Sequence, residues 1–291
     1  MSAATPPPVQ LCATWTGKRR RYPVLVQPKI DGLRCVIGPF GPAGELVALT
    51  RNGYRMRGCS HILAALTAAG VRDVVLDGEL FSGAWGYTIA DGLEGHTPGR
   101  ARFHAFDCVP LADWRREWCR IPYRARIETL RTTLAGVPHC LAVITHEALT
   151  TAGVESLGRR YLDLGYEGAV IKDPEAPYAF GSRGKGWYKL KPVLTTDCLI
   201  IDVQTTHPFA VAVRTPRGHE QAVWHFCGGP EAFFAELAAL ALERAVDGRP
   251  SLAGVMLEVE HGGERLGGVL VAPRVKRIRY DRLPRSEDVA A

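Results

Sequence analysis

Short apolar runs rich in β-branched residues, interrupted at nearly every boundary by glycine or proline, are the feature that most restricts the fold. Runs of this length that end at turn residues are typical of β-strands. In the first half of the chain they occupy residues 24–26, 33–37, 46–50, 74–76 and 103–106. The sequence therefore predicts several short strands in this part of the chain.

Helical patterns are fewer than strand patterns. In four segments the apolar residues recur at the spacing of one helix face, which predicts amphipathic helices. These segments are residues 60–69, 123–134, 153–164 and 231–246. Because strands and helices alternate irregularly along the chain, we predict the α+β class.

The pattern changes after Lys191-Pro192, where five strand-like runs and one helix fit a small β-barrel. The runs are residues 197–204, 209–214, 221–226, 256–261 and 269–278. A chain of 291 residues is long enough for two domains. We therefore expect one domain over residues 1–194 and a second over residues 195–291.

Composition excludes some classes of function. No stretch of eighteen apolar residues occurs, and the proline-rich N-terminus lacks the apolar part of a signal peptide, so we expect a cytoplasmic protein. The eight cysteines never form a C-x-x-C pair, which gives no support to a zinc site or a disulfide framework, and we interpret them as reduced packing residues. The net charge of +6 suits a polyanionic partner.

The string Lys29-Ile30-Asp31-Gly32-Leu33-Arg34 lies between two predicted strands. A lysine on a tight turn can project into a cleft and act as a nucleophile. The amine must be neutral to attack phosphorus, which needs burial or neighbouring cations, since a free lysine is protonated at neutral pH. The alternative is a solvated surface turn in which Asp31-Gly32 makes the bend.

Further short strings follow Lys29, and each has an ordinary structural reading when taken alone. Asn52-Gly53 is a common hairpin turn, Phe106 would usually be a core residue, and two lysines near the end of a strand can be a solvated edge. The strings are Leu49-Thr50-Arg51-Asn52-Gly53, Leu76-Asp77-Gly78-Glu79-Leu80, Phe103-His104-Ala105-Phe106-Asp107, Glu167-Gly168-Ala169-Val170-Ile171-Lys172, Trp187-Tyr188-Lys189-Leu190-Lys191-Pro192 and Arg277-Ile278-Arg279-Tyr280-Asp281-Arg282.

Together, the order and spacing of these strings over residues 24–282 resemble the covalent nucleotidyltransferase superfamily of DNA ligases, RNA ligases and mRNA capping enzymes. The resemblance implies a nucleotidyltransferase, or adenylation, domain of antiparallel sheets with flanking helices, followed by a small OB-fold β-barrel. It also implies that Lys29 becomes covalently attached to the nucleotide.

The resemblance further implies the roles of the other site residues. Arg34 and Arg51 would hold phosphates, Glu79 would contact the ribose, and Phe106 would stack on the purine. Guanidinium groups match phosphate oxygens, and a carboxylate accepts from a ribose hydroxyl. Glu167, together with Glu79, would hold a divalent metal. Lys189 and Lys191 would contact the α-phosphate, and Arg279 and Asp281 would contact the leaving pyrophosphate.

Two positions depart from the pattern of the family. Gln27 replaces the glutamate that many DNA ligases carry two residues before the nucleophile; its carbonyl can still accept from the adenine amino group. Arg282 replaces the usual closing lysine, which keeps the charge but not the donor geometry.

Within the superfamily, the sequence is most similar to small two-domain ATP-dependent DNA ligases of phages and some bacteria. Trp187 precedes both motif lysines, whereas capping enzymes usually place a tryptophan between them, and no cysteine cluster of the NAD-dependent class occurs. The resemblance implies ATP and Mg2+, with Mn2+ possible, and nicked duplex DNA as partner of a monomer. Roles in DNA replication and DNA repair both stay open.

Two other readings remain. An RNA ligase shares the chemistry and would differ at the surface that contacts the sugars at the 3′-hydroxyl. A β-barrel nucleic-acid binder could keep the fold without catalysis. The basic run at residues 18–21 could follow DNA phosphates or be a solvated charge run.

Overall fold

The computed structural model describes residues 9–18, 21–83, 85–192, 194–203, 210–225, 230–245, 249, 251–264, 267–271 and 273–282. The chain divides into two compact units, residues 1–191 and 192–291. In the predicted basic run, residues 19 and 20 lie outside the described residues.

The first unit contains ten strands and five α-helices among its described residues. The strands are β1 (Leu11–Thr14), β2 (Val24–Pro28), β3 (Leu33–Gly38), β4 (Val47–Thr50), β5 (Val74–Phe81), β6 (Arg102–Pro110), β7 (Cys140–Ala142), β8 (His146–Ala148), β9 (Ala169–Lys172) and β10 (Arg183–Leu190). The helices are α1 (Ser60–Ala68), α2 (Trp85–Ile89), α3 (Leu111–Arg115), α4 (Tyr123–Leu134) and α5 (Thr151–Asp163), with a π-helical turn at Ala90–Glu94 and a 3-10 turn at Arg57–Cys59.

The first of two five-stranded sheets has the order β1-β10-β9-β2-β8. Strand β9 lies between β2 and β10 and is antiparallel to both. Val170 of β9 is opposite Gln27 on one side and Lys189 on the other. This register brings the segment before Lys29 next to the strand that carries the motif lysines.

The second sheet has the order β4-β3-β5-β6-β7. Its central strands β3, β5 and β6 pair antiparallel, and Arg34 is opposite Glu79, which is opposite His104. Directly opposed residues in a sheet have neighbouring side chains. The predicted phosphate-binding arginine and ribose-binding glutamate are therefore neighbours.

Apolar side chains from both sheets form one shared cluster, in which Val36, Val75 and Val109 of the second sheet pack with Trp187 of the first. On its other face the second sheet packs against α1 and α4, through residues such as Ile62 and Ile127. The first sheet packs against α5 through Val154. The unit thus has two sheets face to face, with helices outside each one.

The second unit is a closed barrel with the order β11-β12-β13-β15-β14. Its elements are β11 (Leu194–Val203), β12 (Ala210–Arg214), β13 (Glu220–His225), α6 (Pro230–Glu243), β14 (Met256–His261) and β15 (Arg274–Ile278), followed by a 3-10 turn at Tyr280–Arg282. Five strands and a helix between the third and fourth fit the OB-fold that the sequence predicts. Apolar residues of all five strands and of α6 form its core.

The four predicted helices are present, and α4 has the predicted bounds. Several elements were not predicted: the strands β1, β7, β8 and β9, and the short helices α2 and α3. The seven described cysteines are free thiols, and six of them are buried. Among the residues that the structure describes, no helix has the length and apolar character needed to cross a membrane. The cytoplasmic location stays a prediction.

Candidate active site

Lys29 occupies the turn between β2 and β3, and two backbone hydrogen bonds fix this turn to the segment before β9. The Lys29 amide donates to the Gly168 carbonyl, and the Glu167 amide donates to the Lys29 carbonyl, both at 2.9 Å. Because neither bond depends on a side chain, the backbone alone holds residues 29 and 167 side by side.

The side chains of the same two residues also meet. Glu167 Oε2 accepts from Lys29 Nζ, and Glu167 Oε1 accepts from Lys191 Nζ. Burial raises the pKa of Glu167, but the two ammonium groups outweigh burial and hold the pKa below its usual value. One carboxylate therefore forms ion pairs with two ammonium groups beside the turn between β2 and β3.

A pocket of about 510 Å³ opens beside Lys29. Apolar and polar side chains both line it, and apolar atoms form most of its surface, as in pockets for small molecules. Five of the predicted site residues line it: Gln27, Lys29, Arg34, Glu79 and Phe106. The other lining residues are Cys12, Pro28, Ile30, Val143, Val170, Lys172 and Trp187.

Arg34 is held by a buried carboxylate. Its Nε and Nη2 atoms donate to the two oxygens of Asp77, each at 2.6 Å, and the Tyr178 hydroxyl also donates to Asp77, at 2.7 Å. Burial alone would lower the pKa of Arg34, but Asp77 raises it. The guanidinium carbon lies 4.7 Å from the centroid of the Phe106 ring. Asp77 thus fixes the orientation of Arg34, whose predicted phosphate contact stays a prediction.

Glu79 lines the same pocket without an ion-pair partner among the described residues. Burial raises its pKa to about 7, while the charges of Arg34 and Lys29 act in the opposite direction. Near neutral pH the carboxyl group is therefore protonated in part of the molecules, and it can donate as well as accept a hydrogen bond.

Phe106 and Trp187 form the aromatic wall of the pocket, with ring centroids 5.9 Å apart and nearly perpendicular planes. Behind them lies Lys172, which is 1% exposed. Its Nζ donates to the Phe106 carbonyl at 2.7 Å and lies 3.9 Å from the Trp187 ring centroid. Burial lowers the pKa of Lys172 to about 7. This lysine is the main pocket residue that sequence reasoning missed.

Lys172 and Cys12 were missed for different reasons. Lys172 ends the apolar string Ala169-Val170-Ile171, and a lysine on a wholly apolar strand is a signal that could have indicated an inward-facing cation. Cys12 lies on β1, a strand of four residues that pairs with β10 in parallel. Pairing of strands so distant in sequence leaves no local pattern that could have revealed it.

Gln27 and Lys189 lie on β2 and β10 next to the pocket. Gln27 is 1% exposed, and its Nε2 donates to Thr145 Oγ1 at 3.0 Å. Lys189 is half-buried and does not line the pocket. Burial lowers its pKa, and so do the charges of Lys191 and Arg183. The predicted alternation puts Lys189 and Lys191 on one face, but β10 ends at Leu190, and only Lys191 contacts Glu167.

Three of the predicted site residues lie away from the residues that line the pocket. Arg51 is exposed in the turn after β4 and is not a lining residue. Arg279 and Asp281 belong to the second unit, where Arg279 donates to Asp197 at 2.6 Å and to Asp281 at 2.6 Å. The hydrogen bond from Arg279 lowers the pKa of Asp281 to about 2. Arg282 also pairs with Asp197, at 2.6 Å.

The donor groups that could hold a divalent cation are Glu79 and Glu167. Mg2+ is usually bound by one or two carboxylates together with substrate phosphates, so two carboxylates at a nucleotide pocket fit its chemistry. In the part of the chain that the structure describes, no group of three or more His, Cys, Asp or Glu side chains forms a complete protein site. A cation here would need the phosphates as ligands.

Solved structures share this architecture. One described as "Pmar-Lig_Pre." has a TM-score of 0.78 at 20% identity and covers 94% of this chain and 67% of its own. A Lig E DNA ligase has a TM-score of 0.72 at 17% identity, with 93% and 98% covered. The class is therefore a two-unit protein with the fold of ATP-dependent DNA ligases.

The family follows from the sequence match. Residues 13–191 match the model of the ATP dependent DNA ligase domain, and the chain belongs to this family. A DNA ligase of Haloarcula marismortui is 29% identical over 212 residues, which is 65% of this chain and 37% of the relative. Matched segments span 16% to 37% of the lengths of four curated DNA ligases.

Proposed function

We propose that the protein is an ATP-dependent DNA ligase that seals nicks in duplex DNA through a Lys29-AMP intermediate. The observation that carries the proposal is the position of Lys29 at the mouth of an aromatic-walled pocket, in contact with Glu167, within the segment that matches the ligase domain family. A lysine that can act as a nucleophile, a carboxylate in contact with it and a pocket beside them are the features that covalent attachment of a nucleotide needs.

In the first step Lys29 Nζ gives up a proton, and Glu167 is the acceptor in contact with it. The nitrogen lone pair then forms a bond to the α-phosphorus of ATP. The bond from that phosphorus to the bridging oxygen breaks, and the oxygen leaves with pyrophosphate. Lys191, which donates to the other oxygen of Glu167, is proposed to balance charge on the α-phosphate.

Two further transfers complete the reaction. The 5′-phosphate at the nick attacks the phosphorus of Lys29-AMP, which breaks the nitrogen-phosphorus bond and gives a 5′-adenylated strand. The adjacent 3′-hydroxyl then attacks the activated phosphate, loses its proton, and releases AMP. Covalent catalysis divides one slow reaction into steps with lower barriers.

Glu79 and Glu167 would hold Mg2+ together with the nucleotide phosphates, and the cation, when bound, supplies positive charge at the reacting phosphate. Among the remaining residues, Gln27 and Phe106 are proposed to contact the adenine, Glu79 the ribose, and Arg34, Arg51 and Lys189 the phosphates. Arg279 and Asp281 are proposed to act on the pyrophosphate.

The partner that we propose is nicked duplex DNA, bound by a monomer. The family match is to DNA ligases, which supports DNA over RNA as the substrate. We propose residues 1–194 as the adenylation domain and residues 195–291 as an OB-fold domain, and the division of the chain after residue 191 supports a boundary in this region.

The test is self-labelling with ATP that carries the label on its α-phosphate. Wild type and Lys29→Ala are incubated with labelled ATP or GTP and Mg2+, denatured, and separated on a gel. We expect label from ATP on the wild type and none on the variant. Lys29→Arg is the matched control, because it keeps the positive charge but not the nucleophilic amine.

Adding nicked DNA to the labelled protein tests the later steps. Loss of label from the protein, with a sealed strand among the products, supports the full ligase reaction. Label that is discharged only by nicked RNA would instead support an RNA ligase. If neither nucleotide labels the protein, the proposal is wrong and a binding protein without catalysis is left.

A further inference from the structure

The amide of Gln27 is a buried polar group in the wall of the pocket. It is 1% exposed and lines the pocket with Val143, Val170 and Phe106. A primary amide carries a donor on one side and an acceptor on the other. Which side faces the pocket decides which edge of a base can bind there.

The neighbouring Thr145 settles the orientation of Gln27. Thr145 Oγ1 donates its only proton to the Val143 carbonyl at 3.0 Å. This oxygen therefore offers only lone pairs to Gln27. An amide oxygen against it would leave two acceptors facing each other, which is unfavourable in a buried site.

Gln27 meets this acceptor with its NH2 group, since Nε2 donates to Thr145 Oγ1 at 3.0 Å. The nitrogen and oxygen of a side-chain amide lie on opposite sides of the group, so the same hydrogen bond turns Oε1 away from Thr145.

The carbonyl oxygen of Gln27 is the part of the amide that remains available to a base in the pocket. Across the described ranges, no protein donor reaches Oε1, although the residue is almost completely buried. Adenine carries an amino donor on its six-membered ring, and guanine carries a carbonyl acceptor at the equivalent atom. A fixed acceptor at this point favours adenine and opposes guanine.

We propose that Thr145 is a positioning residue for nucleotide selection, which holds the Gln27 amide so that only its acceptor faces the base. The proposal rests on the proposed function, since it concerns the nucleotide that labels Lys29. Thr145 does not touch the base in this arrangement and acts through Gln27. Selection between ATP and GTP thus depends on one hydroxyl group next to Gln27.

The decisive variant is Thr145→Val, which keeps the branched shape but removes the hydroxyl. Without that acceptor the amide can rotate and donate to guanine. We expect the ratio of ATP to GTP labelling rates to fall about tenfold, the size of one hydrogen bond to a buried group. The loss should appear mainly in KM for ATP, with kcat for labelling nearly unchanged, because base binding is common to ground and transition states.

Two controls separate selection from structure. Thr145→Ser retains the hydroxyl and should keep the wild-type ratio. Thermal unfolding of each variant checks that the fold is intact. A change in stability alone would lower both labelling rates together and leave their ratio at the wild-type value.

The outcomes distinguish this inference from the proposed function. If the wild type takes no label from either nucleotide, the proposed function fails. If the wild type prefers ATP and Thr145→Val keeps its ratio, the proposed function stands and the inference is overturned. A lowered ratio in Thr145→Val, with the wild-type ratio kept in Thr145→Ser, supports it.

Discussion

At the scale of single residues, the charged groups of the first unit differ in how they are compensated. Arg34 and Arg126 each have a buried carboxylate, Asp77 and Asp107, as a bidentate partner. Glu79 has no such partner among the described residues, and burial raises its pKa to about 7. A buried carboxylate without a partner should lower stability when it ionises, whereas a buried carboxylate paired with an arginine should contribute to stability.

Glu79 should make stability fall as the pH rises. Its pKa is about 7 in the folded protein and 4.5 as a free group, so between these values the folded state holds a proton that the unfolded state releases. Folding stability therefore decreases with rising pH in this window. Relative to Glu79→Gln, wild type should lose at most about 1.4 kcal/mol of unfolding free energy for each pH unit.

Urea unfolding of both proteins at several pH values between 4.5 and 7 measures this difference. The Gln side chain cannot ionise, so other titrating groups contribute equally to both curves and cancel in the difference. A difference that stays constant across the window would show that Glu79 titrates at its ordinary pKa.

The Arg126 and Asp107 pair should be costly to break. Asp107 is fully buried and accepts from Arg126 at 2.8 and 3.0 Å. Asp107→Ala leaves the guanidinium without its counter-charge, for which we expect a loss of about 3 to 5 kcal/mol in unfolding free energy. The control is Glu128→Ala on α4, the helix that also contains Arg126. This change breaks the exposed pair with Arg131 and should cost under about 0.5 kcal/mol. Similar losses in the two variants would contradict the argument.

At the scale of secondary structure, the connection from α5 to β9 holds the turn that contains Lys29 in place. Gly168 has φ +137°, and a Cβ there would lie 2.2 Å from the Leu190 carbonyl oxygen. Its own carbonyl accepts from Lys29. A side chain at this position cannot be accommodated without moving β10 or the turn that carries Lys29.

Gly168→Ala should therefore reduce labelling of Lys29 by at least about tenfold, since a displacement near 1 Å at a reacting group can cost more than that. The matched control is Gly165→Ala. Gly165 also has a positive φ, +85°, but nothing lies within 4 Å of a Cβ there, so only backbone strain of about 1 to 2 kcal/mol is expected. Labelling rates per folded protein, corrected by thermal unfolding, compare the two; equal rates would argue against a role for Gly168 in holding the turn.

The elements that the sequence predicts well are those with a clear local pattern. Helix α4 has apolar residues regularly spaced on one face, and its bounds are the predicted ones. Strand β10 contains Gly184 and Gly186, and β9 has only four residues, so neither has a full alternating pattern. Motif strings located the pocket residues beside Lys29, but they could not reveal Lys172 or Thr145, because long-range packing brings these into place.

At the scale of the whole molecule, the two units differ in what they offer to a ligand. The first contains the pocket, and the second is a barrel whose strand β15 has the sequence Arg-Val-Lys-Arg-Ile. In β15, Lys276 and Arg277 both pair with Glu258. The net charge of +6 belongs to the chain as a whole, so its effect should appear with a long polyanion more than with a small nucleotide.

Salt should therefore separate the two activities that we propose. Raising salt from about 50 to about 200 mM should slow nick sealing at limiting DNA by more than about tenfold, because DNA binding releases counterions. Self-labelling at saturating ATP should change much less. Both rates are measured on one protein preparation. Equal salt dependence of the two would indicate that DNA binding does not depend mainly on phosphate contacts.

The carboxylate of Glu167 touches the amines of both Lys29 and Lys191. With both amines protonated, the three side chains sum to one positive charge. Once Lys29 carries AMP and Glu167 has passed the accepted proton on to solvent, the Lys29 nitrogen is neutral, and Glu167 with Lys191 sum to zero. The cluster would then hold an incoming anion less strongly after the first step than before it, which would help pyrophosphate to depart and make the step harder to reverse.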